Sequence, residues 1–416
     1  MIKNLSKTVL LVCVSLTIFA QKSYLLKPDR VFDGTEVREG LMVLVTGDKI
    51  VSVDKNIVPP ANTEVIELKG CTVLPGLIEG HSHLFLHPYN EANWDDQVLR
   101  EPRSLRTARA VVHARNTLLA GFTTVRDLGT EGAEYDDFGL KQAINQGIVI
   151  GPRMLIATRA LVATGSYGPK GFSPDVDVLQ GAEEADGYDK LIEAVRRQIG
   201  KGADVIKIYA DYRWGLMAEA RPTFLVEEIK LMVETAKSSG RGVAAHAATA
   251  EGMRRAIVGG CETIEHGDAG TPEVFALMKQ YGAALCPTLA AGDAVSQYRG
   301  WKKGTEPEPE RIKQKRATFK QALDAGVTIC FGGDVGVFSH GDNARELEMM
   351  VDYGMKPLDV LRSATSVNAR VFHLDKLGEI KNGFLADLLI VKGQPDKTIS
   401  DIRKIQMVIK DGLIVK

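Results

Sequence analysis

The chain reads as an α/β protein, a (β/α)8 barrel of the TIM type with a small β-sandwich made from both chain ends. Three observations predict this. Strand-like apolar runs alternate with helical runs between about residues 77 and 374, eight such strand runs can be counted, and both ends carry the short, turn-punctuated grammar of hairpins. With 416 residues, 44% of them hydrophobic, the chain is long enough for a large barrel and a smaller unit beside it. A formal net charge of -1 supplies no electrostatic reason to expect nucleic acid or an anionic membrane as partner. The expected partner is a small molecule or a dipeptide.

In chain order, Lys3 and Lys7 precede an apolar stretch from Thr8 to Ala20, with small Ala20 before Gln21. This is the pattern of an export signal over residues 1–20, and it implies a periplasmic or extracellular protein. The other reading, an uncleaved anchor, needs an apolar run of roughly 20 residues; no membrane span is expected in the mature chain. The segments Arg30–Gly34, Leu41–Val45 and Gly47–Val53 read as hairpins, as do Ala386–Val391 and Ile405–Val415 with the turn pair Asp411-Gly412. Residues 21–76 and 375–416 therefore make one split β domain around a barrel of residues 77–374.

Inside the barrel, helix Ser104–Ala120 leads to strand Thr123–Asp127, and Met154–Thr158 is the next strand. Helix Tyr188–Lys201 leads to Asp204–Tyr209, helix Leu225–Ser238 to Gly242–His246, and helix Glu251–Val258 to Glu262–His266. Helix Pro272–Tyr281 leads to Ala283–Pro287, and helix Ile312–Ala325 to Val327–Asp334. Cys71, Cys261, Cys286 and Cys330 lie far apart without a CxxC pair and read as buried small apolar residues.

The first barrel strand ends in Gly80-His81-Ser82-His83. Strand alternation turns His81 and His83 to one side, so two imidazoles share a target, as a metal site at the mouth of a buried strand requires. Active sites of such barrels lie at the C-terminal strand ends. The other ends carry Lys207, His246, His266 and Asp334. Four histidines and an aspartate gathered at one mouth point to a metal centre.

These residues carry a resemblance. The runs His81-Ser82-His83, Val205–Ile208, Ala245-His246-Ala247, Ile264–Gly267 and Gly332-Gly333-Asp334, with Gly383–Asp387 in the split β domain, resemble the amidohydrolase superfamily. The likeness is to the branch of imidazolonepropionase-like and Xaa-Pro dipeptidase (prolidase-like) enzymes. It implies two divalent metals, zinc first among the candidates, held by His81, His83 and Asp334 for one ion and by His246 and His266 for the other. It also implies that Lys207, carboxylated by CO2, bridges the two ions, and that the protein forms a homo-oligomer. A free lysine, with a reference pKa of about 10.4, would be a cation facing two dications, whereas its carbamate is an anion with two oxygens. A metal brings the pKa of bound water from 15.7 to about 7, so a metal-bridging hydroxide is the expected nucleophile and Asp334 the proton shuttle.

Substrate contacts are less sharply marked. His340, in Ser339–Asn343, is a candidate for a substrate carbonyl or carboxylate, or else stabilises its loop. Prolidase-like relatives often carry Gly-Gly-His-Gly after the third strand, where this chain has Ala163-Thr164-Gly165-Ser166-Tyr167-Gly168. With Ser166 in that region and no histidine, Tyr167 or Lys170 can substitute, and Tyr209, Tyr212 and Arg213 after the fourth strand are further candidates for an anion. The leading expectation is a metal-dependent hydrolase of amide-type C–N bonds acting on Xaa-Pro or related dipeptides, or on N-acyl amino acids. A cyclic-amide hydrolase or an aminohydrolase of a heterocycle is the alternative; a non-enzymatic binding protein would be expected to have lost ligands.

Overall fold

A computed structural model of the protein describes residues 22–416; the segment 1–20 read as an export signal lies outside the described residues. The two chain ends share one eight-stranded sheet. Its order is Leu413–Ile414, Ile405–Lys410, Leu388–Lys392, Glu64–Pro75, Ser23–Phe32, Met42–Thr46 and Lys49–Asp54, with Val37–Glu39 paired to Ser23–Phe32. The long strand Glu64–Pro75 runs parallel to Ser23–Phe32 and antiparallel to Leu388–Lys392, and so stitches the N-terminal part to the C-terminal part. The hairpin reading of the ends passed over this strand.

The expected sandwich of two sheets is instead one sheet curled on itself. Its edge strand bonds back to the C-terminal segment, Ile50 N donating to the Phe384 carbonyl and Ala386 N to the Asp48 carbonyl, at 2.9 and 2.8 Å. A register shift, two positions from Pro28 to Arg30 against four from Leu68 to Thr72, interrupts the ladder between the two long strands as a bulge does. Tyr24, Leu26, Val43, Val73, Leu388 and Ile390 fill that core.

Between the two ends the protein is α/β with parallel sheets. Leu77–Ser82, Phe122–Asp127 and Arg153–Ile156 form one parallel set. Ile206–Tyr209, Val243–Ala247, Thr263–His266 and Ala284–Cys286 form another, with the short pair Leu161–Val162 and Glu183–Glu184 added at its edge. Every one of the four long strands from Leu77–Ser82 to Ile206–Tyr209, except the half-buried Arg153 and Leu155, is buried throughout, which is why they read as apolar runs rather than alternating ones. Helices return the chain between strands. Ala250–Gly259 and Pro272–Tyr281 begin where the Thr249 and Thr271 side chains accept the backbone N–H of Gly252 and Val274, satisfying first-turn donors.

The last expected strand, Val327–Asp334, is not a regular strand. It is held by isolated bridges, Ile329 to Leu285 and Val335 to Ser82, and by Gly80 N donating to the Phe331 carbonyl at 3.1 Å. Its closeness to the first strand depends on two glycines. A Cβ on Gly80 would lie 2.4 Å from the Phe331 carbonyl oxygen, and one on Gly332 would lie 2.8 Å from His81 N. Among the described residues Cys71, Cys261, Cys286 and Cys330 are buried and form no disulfide. Among the described residues no helix is long and apolar enough to cross a membrane.

Candidate active site

Parallel pairing sets the site's first neighbours. Tyr209 stands in register with His246, and Ala247 with His266, so three consecutive strand ends present their side chains side by side. The His246 and His266 rings lie 4.5 Å apart, and those of His81 and His266 5.2 Å apart. Asp334 comes in from the glycine-rich eighth segment, with Oδ1 3.4 Å from His83 Nε2 and 3.6 Å from His81 Nε2. Ligand atoms of His81, His266 and Asp334 lie within 4.8 Å of one another, close enough to share an ion.

The histidines are held by their other nitrogens. His81 Nδ1 donates to Glu265 at 2.8 Å, His83 Nδ1 donates to the Gly129 carbonyl at 2.9 Å, and His266 Nδ1 lies 2.7 Å from Thr288 Oγ1. A carbonyl and a carboxylate accept only, so the first two rings keep an Nε2 lone pair for the cavity. Burial, aided by the charge of Lys207, pushes the His81 and His246 imidazoles below their usual range, His246 to about 3, and holds them neutral. Burial and the neighbouring His246 do the same to His266. Neutral imidazole is the ligating form.

Lys207 is 1% exposed and makes no side-chain hydrogen bond or ion pair among the described residues. Burial lowers its ammonium pKa, against the pull of Glu265 and Asp334. Asp334 is pushed up by burial, against the pull of His83 and Lys207. His266 and Asp334 both adopt left-handed backbone, φ 75° and 61°, as does Thr288 at 50°. Non-glycine residues pay on the order of 1–3 kcal/mol for such conformations, which persist where the surroundings over-determine them.

Several functional groups escaped the sequence reading. Glu265 and Arg126 are a buried pair at 2.8 Å beneath His81, and Arg126 also donates to the Gly80 carbonyl and to Thr263. Burial opposes the charge on Glu265, but Arg126 and His81 outweigh it and hold the carboxyl below its usual range. Glu79 accepts from His81 N, Gly333 N and Asn343 Nδ2, tying the first strand to the Asp334 segment. These groups carried a signal: each is a charge in an otherwise apolar strand, the same mark that singled out Lys207. Glu131, in the loop after Phe122–Asp127, carried none.

The proposed substrate contacts divide. Tyr209, Tyr212 and Tyr167 gather beside His246, with Tyr209 stacked on that ring at 4.7 Å and Tyr167 at 4.6 Å from Tyr209 and 4.7 Å from Tyr212. Lys170 and Arg213 are exposed, Arg213 lying over the Tyr212 ring at 5.6 Å. His340 stands behind the loop after His83: it stacks on His113 at 4.3 Å, and its Nε2 is 3.1 Å from the Leu86 carbonyl. Ser166 is buried, its hydroxyl donating to the Ala163 carbonyl at 2.7 Å.

Comparison with known proteins agrees with this picture. The Amidohydrolase family pattern matches residues 72–415. Ochratoxinase from Aspergillus niger is 30% identical over 366 residues, covering 80% of this chain and 72% of that protein. A Xaa-Pro dipeptidase solved with methionine bound in its active site has a TM-score of 0.84 at 33% identity, covering 95% of this chain and 100% of its own. A prolidase complexed with N-methylphosphonate-L-proline has a TM-score of 0.81 at 29% identity, again covering 95% of this chain and 100% of its own. The chain belongs to the amidohydrolase family, hydrolases that act on carbon–nitrogen bonds and generally use divalent metals.

Proposed function

We propose that the protein is an exported, binuclear metal-dependent hydrolase that cleaves the amide bond of dipeptides, Xaa-Pro first, or of N-acyl amino acids. The observation that carries the reading is the disposition of the histidines. His81 and His83 each spend Nδ1 on an acceptor and turn Nε2 toward Asp334, as ligands braced by outer partners do.

In this reading His81, His83 and Asp334 hold one ion, His246 and His266 the other, and zinc is the first candidate. Lys207, whose ammonium form burial disfavours, would as the carbamate formed with CO2 supply a further anionic ligand to these ions. When bound, such a pair of ions polarises a carbonyl and acidifies water to near-neutral pKa. Asp334 takes the proton of the attacking water and returns it to the leaving nitrogen, a role its position between His81 and His83 suits. We also read the links around the parallel strands as a closed (β/α)8 barrel. Asp204 N donates to the Ile156 carbonyl at 2.7 Å, Cys330 N to the Leu285 carbonyl at 2.8 Å, and Gly80 N to Phe331. The dipeptidase and prolidase among the similar structures favour a peptide substrate.

A screen of dipeptides, N-acyl amino acids and cyclic amides tests the reaction. The expected result is release of the C-terminal amino acid from peptides, abolished by chelator and restored by zinc. Peptide turnover indifferent to chelator, or ammonia release from heterocycles with every peptide inert, would overturn it.

A further inference from the structure

One buried carboxylate beside the site is used by no step above. Glu131 is 2% exposed and sits in left-handed backbone, φ 50°. Its Oε2 accepts the Trp94 indole N–H at 2.9 Å and the Tyr167 hydroxyl, and the Tyr209 hydroxyl reaches Oε1 at 3.3 Å. An indole N–H only donates, and three donors around two oxygens suit an acceptor-only carboxylate. Glu131 also borders the histidine cluster, with Oε1 4.0 Å from His83 Nδ1 and Tyr209 stacked on His246.

A tyrosine hydroxyl has one proton to give. Tyr167 and Tyr209 both give theirs to Glu131, and their rings pack on His246, Trp94 and one another, so what remains to face a ligand is hydroxyl lone pairs in front of an anion. Such a wall accepts hydrogen bonds and attracts positive charge, and it disfavours a carboxylate. The expectation that these tyrosines bind an anion is therefore reversed. We infer that Glu131, Tyr167 and Tyr209 form the subsite for a protonated amine, the free α-ammonium group of a substrate's N-terminal residue. The inference rests on the amide-hydrolase reading and narrows it: dipeptides with a free N-terminus carry this cation, and N-acyl amino acids do not.

The test compares Ala-Pro with N-acetyl-Ala-Pro on the metal-loaded full-length protein, by steady-state kinetics and by calorimetric binding. The free-amine peptide is expected to bind about 10- to 100-fold more tightly, the range of a hydrogen-bonded charge. Glu131→Gln is expected to close most of that gap by raising KM for Ala-Pro more than it lowers kcat, with metal content retained. Tyr167→Phe, which disturbs folding less, is expected to narrow it in the same direction. Equal binding of the two peptides by the wild type overturns the inference, as does a preference that survives both substitutions. If calorimetry shows the preference but neither peptide is cleaved, the subsite stands and the hydrolase reading falls. If both peptides are cleaved and bound alike, the hydrolase reading stands and the subsite falls.

Discussion

Two walls of the candidate site are built from different material. The histidine wall hangs on strand ends, where pairing register and alternation dictate which side chains meet, and its histidines are braced by Glu265, the Gly129 carbonyl and Thr288. The aromatic wall takes most of its groups from loops and a short helix, Trp94, Glu131 and Tyr167, and joins them to Tyr209 through one carboxylate. Strand geometry makes the first wall local and repetitive. The second exists only because one acceptor gathers donors that are 36, 37 and 78 positions away in the chain. The difference suggests a division of labour, chemistry on the strand ends and selection of substrate on the loops.

The sharpest way to break that division is Lys207→Ala. It is expected to lower turnover by more than the roughly 100-fold that outer partners of a metal site contribute, and to lower bound metal by at least half, read by atomic emission. Tyr167→Phe on the other wall should leave metal content intact. Equal metal loss in both variants would mean that the walls are one structure.

Next in size is Glu265→Gln, which keeps the shape beside His81 but removes the charge that pairs with Arg126. Metal affinity, measured by competition with a chromogenic chelator, should fall about 10- to 100-fold. Unaltered affinity would show that His81 is oriented by strand geometry alone. Breaking a buried pair also costs about 3–5 kcal/mol of stability, so a lowered melting temperature should accompany the change.

The smallest effect concerns the bracing behind the histidine wall. Glu346 accepts Leu289 N and Ala290 N, next to Thr288, and burial pushes its carboxyl up to about 8. A folded-state pKa raised above the unfolded value of about 4.3 gives stability that is complete below pH 4.3 and lost as pH rises through 8. Glu346→Gln, neutral at every pH, should therefore gain on the wild type between pH 6 and pH 9. A relative rise of about 2 °C in Tm is expected at pH 9. A gap that stays constant across this range would show that Glu346 is not protonated in the native protein.

Much of the site was legible because buried strands leave little room for charge. His81, His83, Lys207, His246 and His266 stood out against apolar neighbours, and the same criterion applied to Glu79, Arg126 and Glu265 would have found the bracing as well. Loops obey no such criterion. His340 follows Asp334 closely in sequence, yet its ring packs on His113 and its Nε2 bonds to the Leu86 carbonyl, because the chain turns back across the loop after His83. The strand Glu64–Pro75 carries a strand's alternation in its first half, exposed Val65, Glu67 and Lys69 against half-buried Ile66 and buried Leu68, but its parallel and antiparallel pairing to two segments distant in the chain has no local mark.

By itself the sequence determined the alternation of strands and helices, the pooling of both chain ends in one β unit, and the histidines and lysine that interrupt apolar strands. Each is a consequence of local periodicity and of the cost of burying charge without purpose. Only the tertiary structure decided that the β unit is a single curled sheet, that the eighth segment reaches His81 through two glycines, and that Tyr167 and Tyr209 give their protons to Glu131. Those outcomes depend on the pairing of distant segments, close backbone approach and the competition of several donors for one buried acceptor, none of which has a period along the chain.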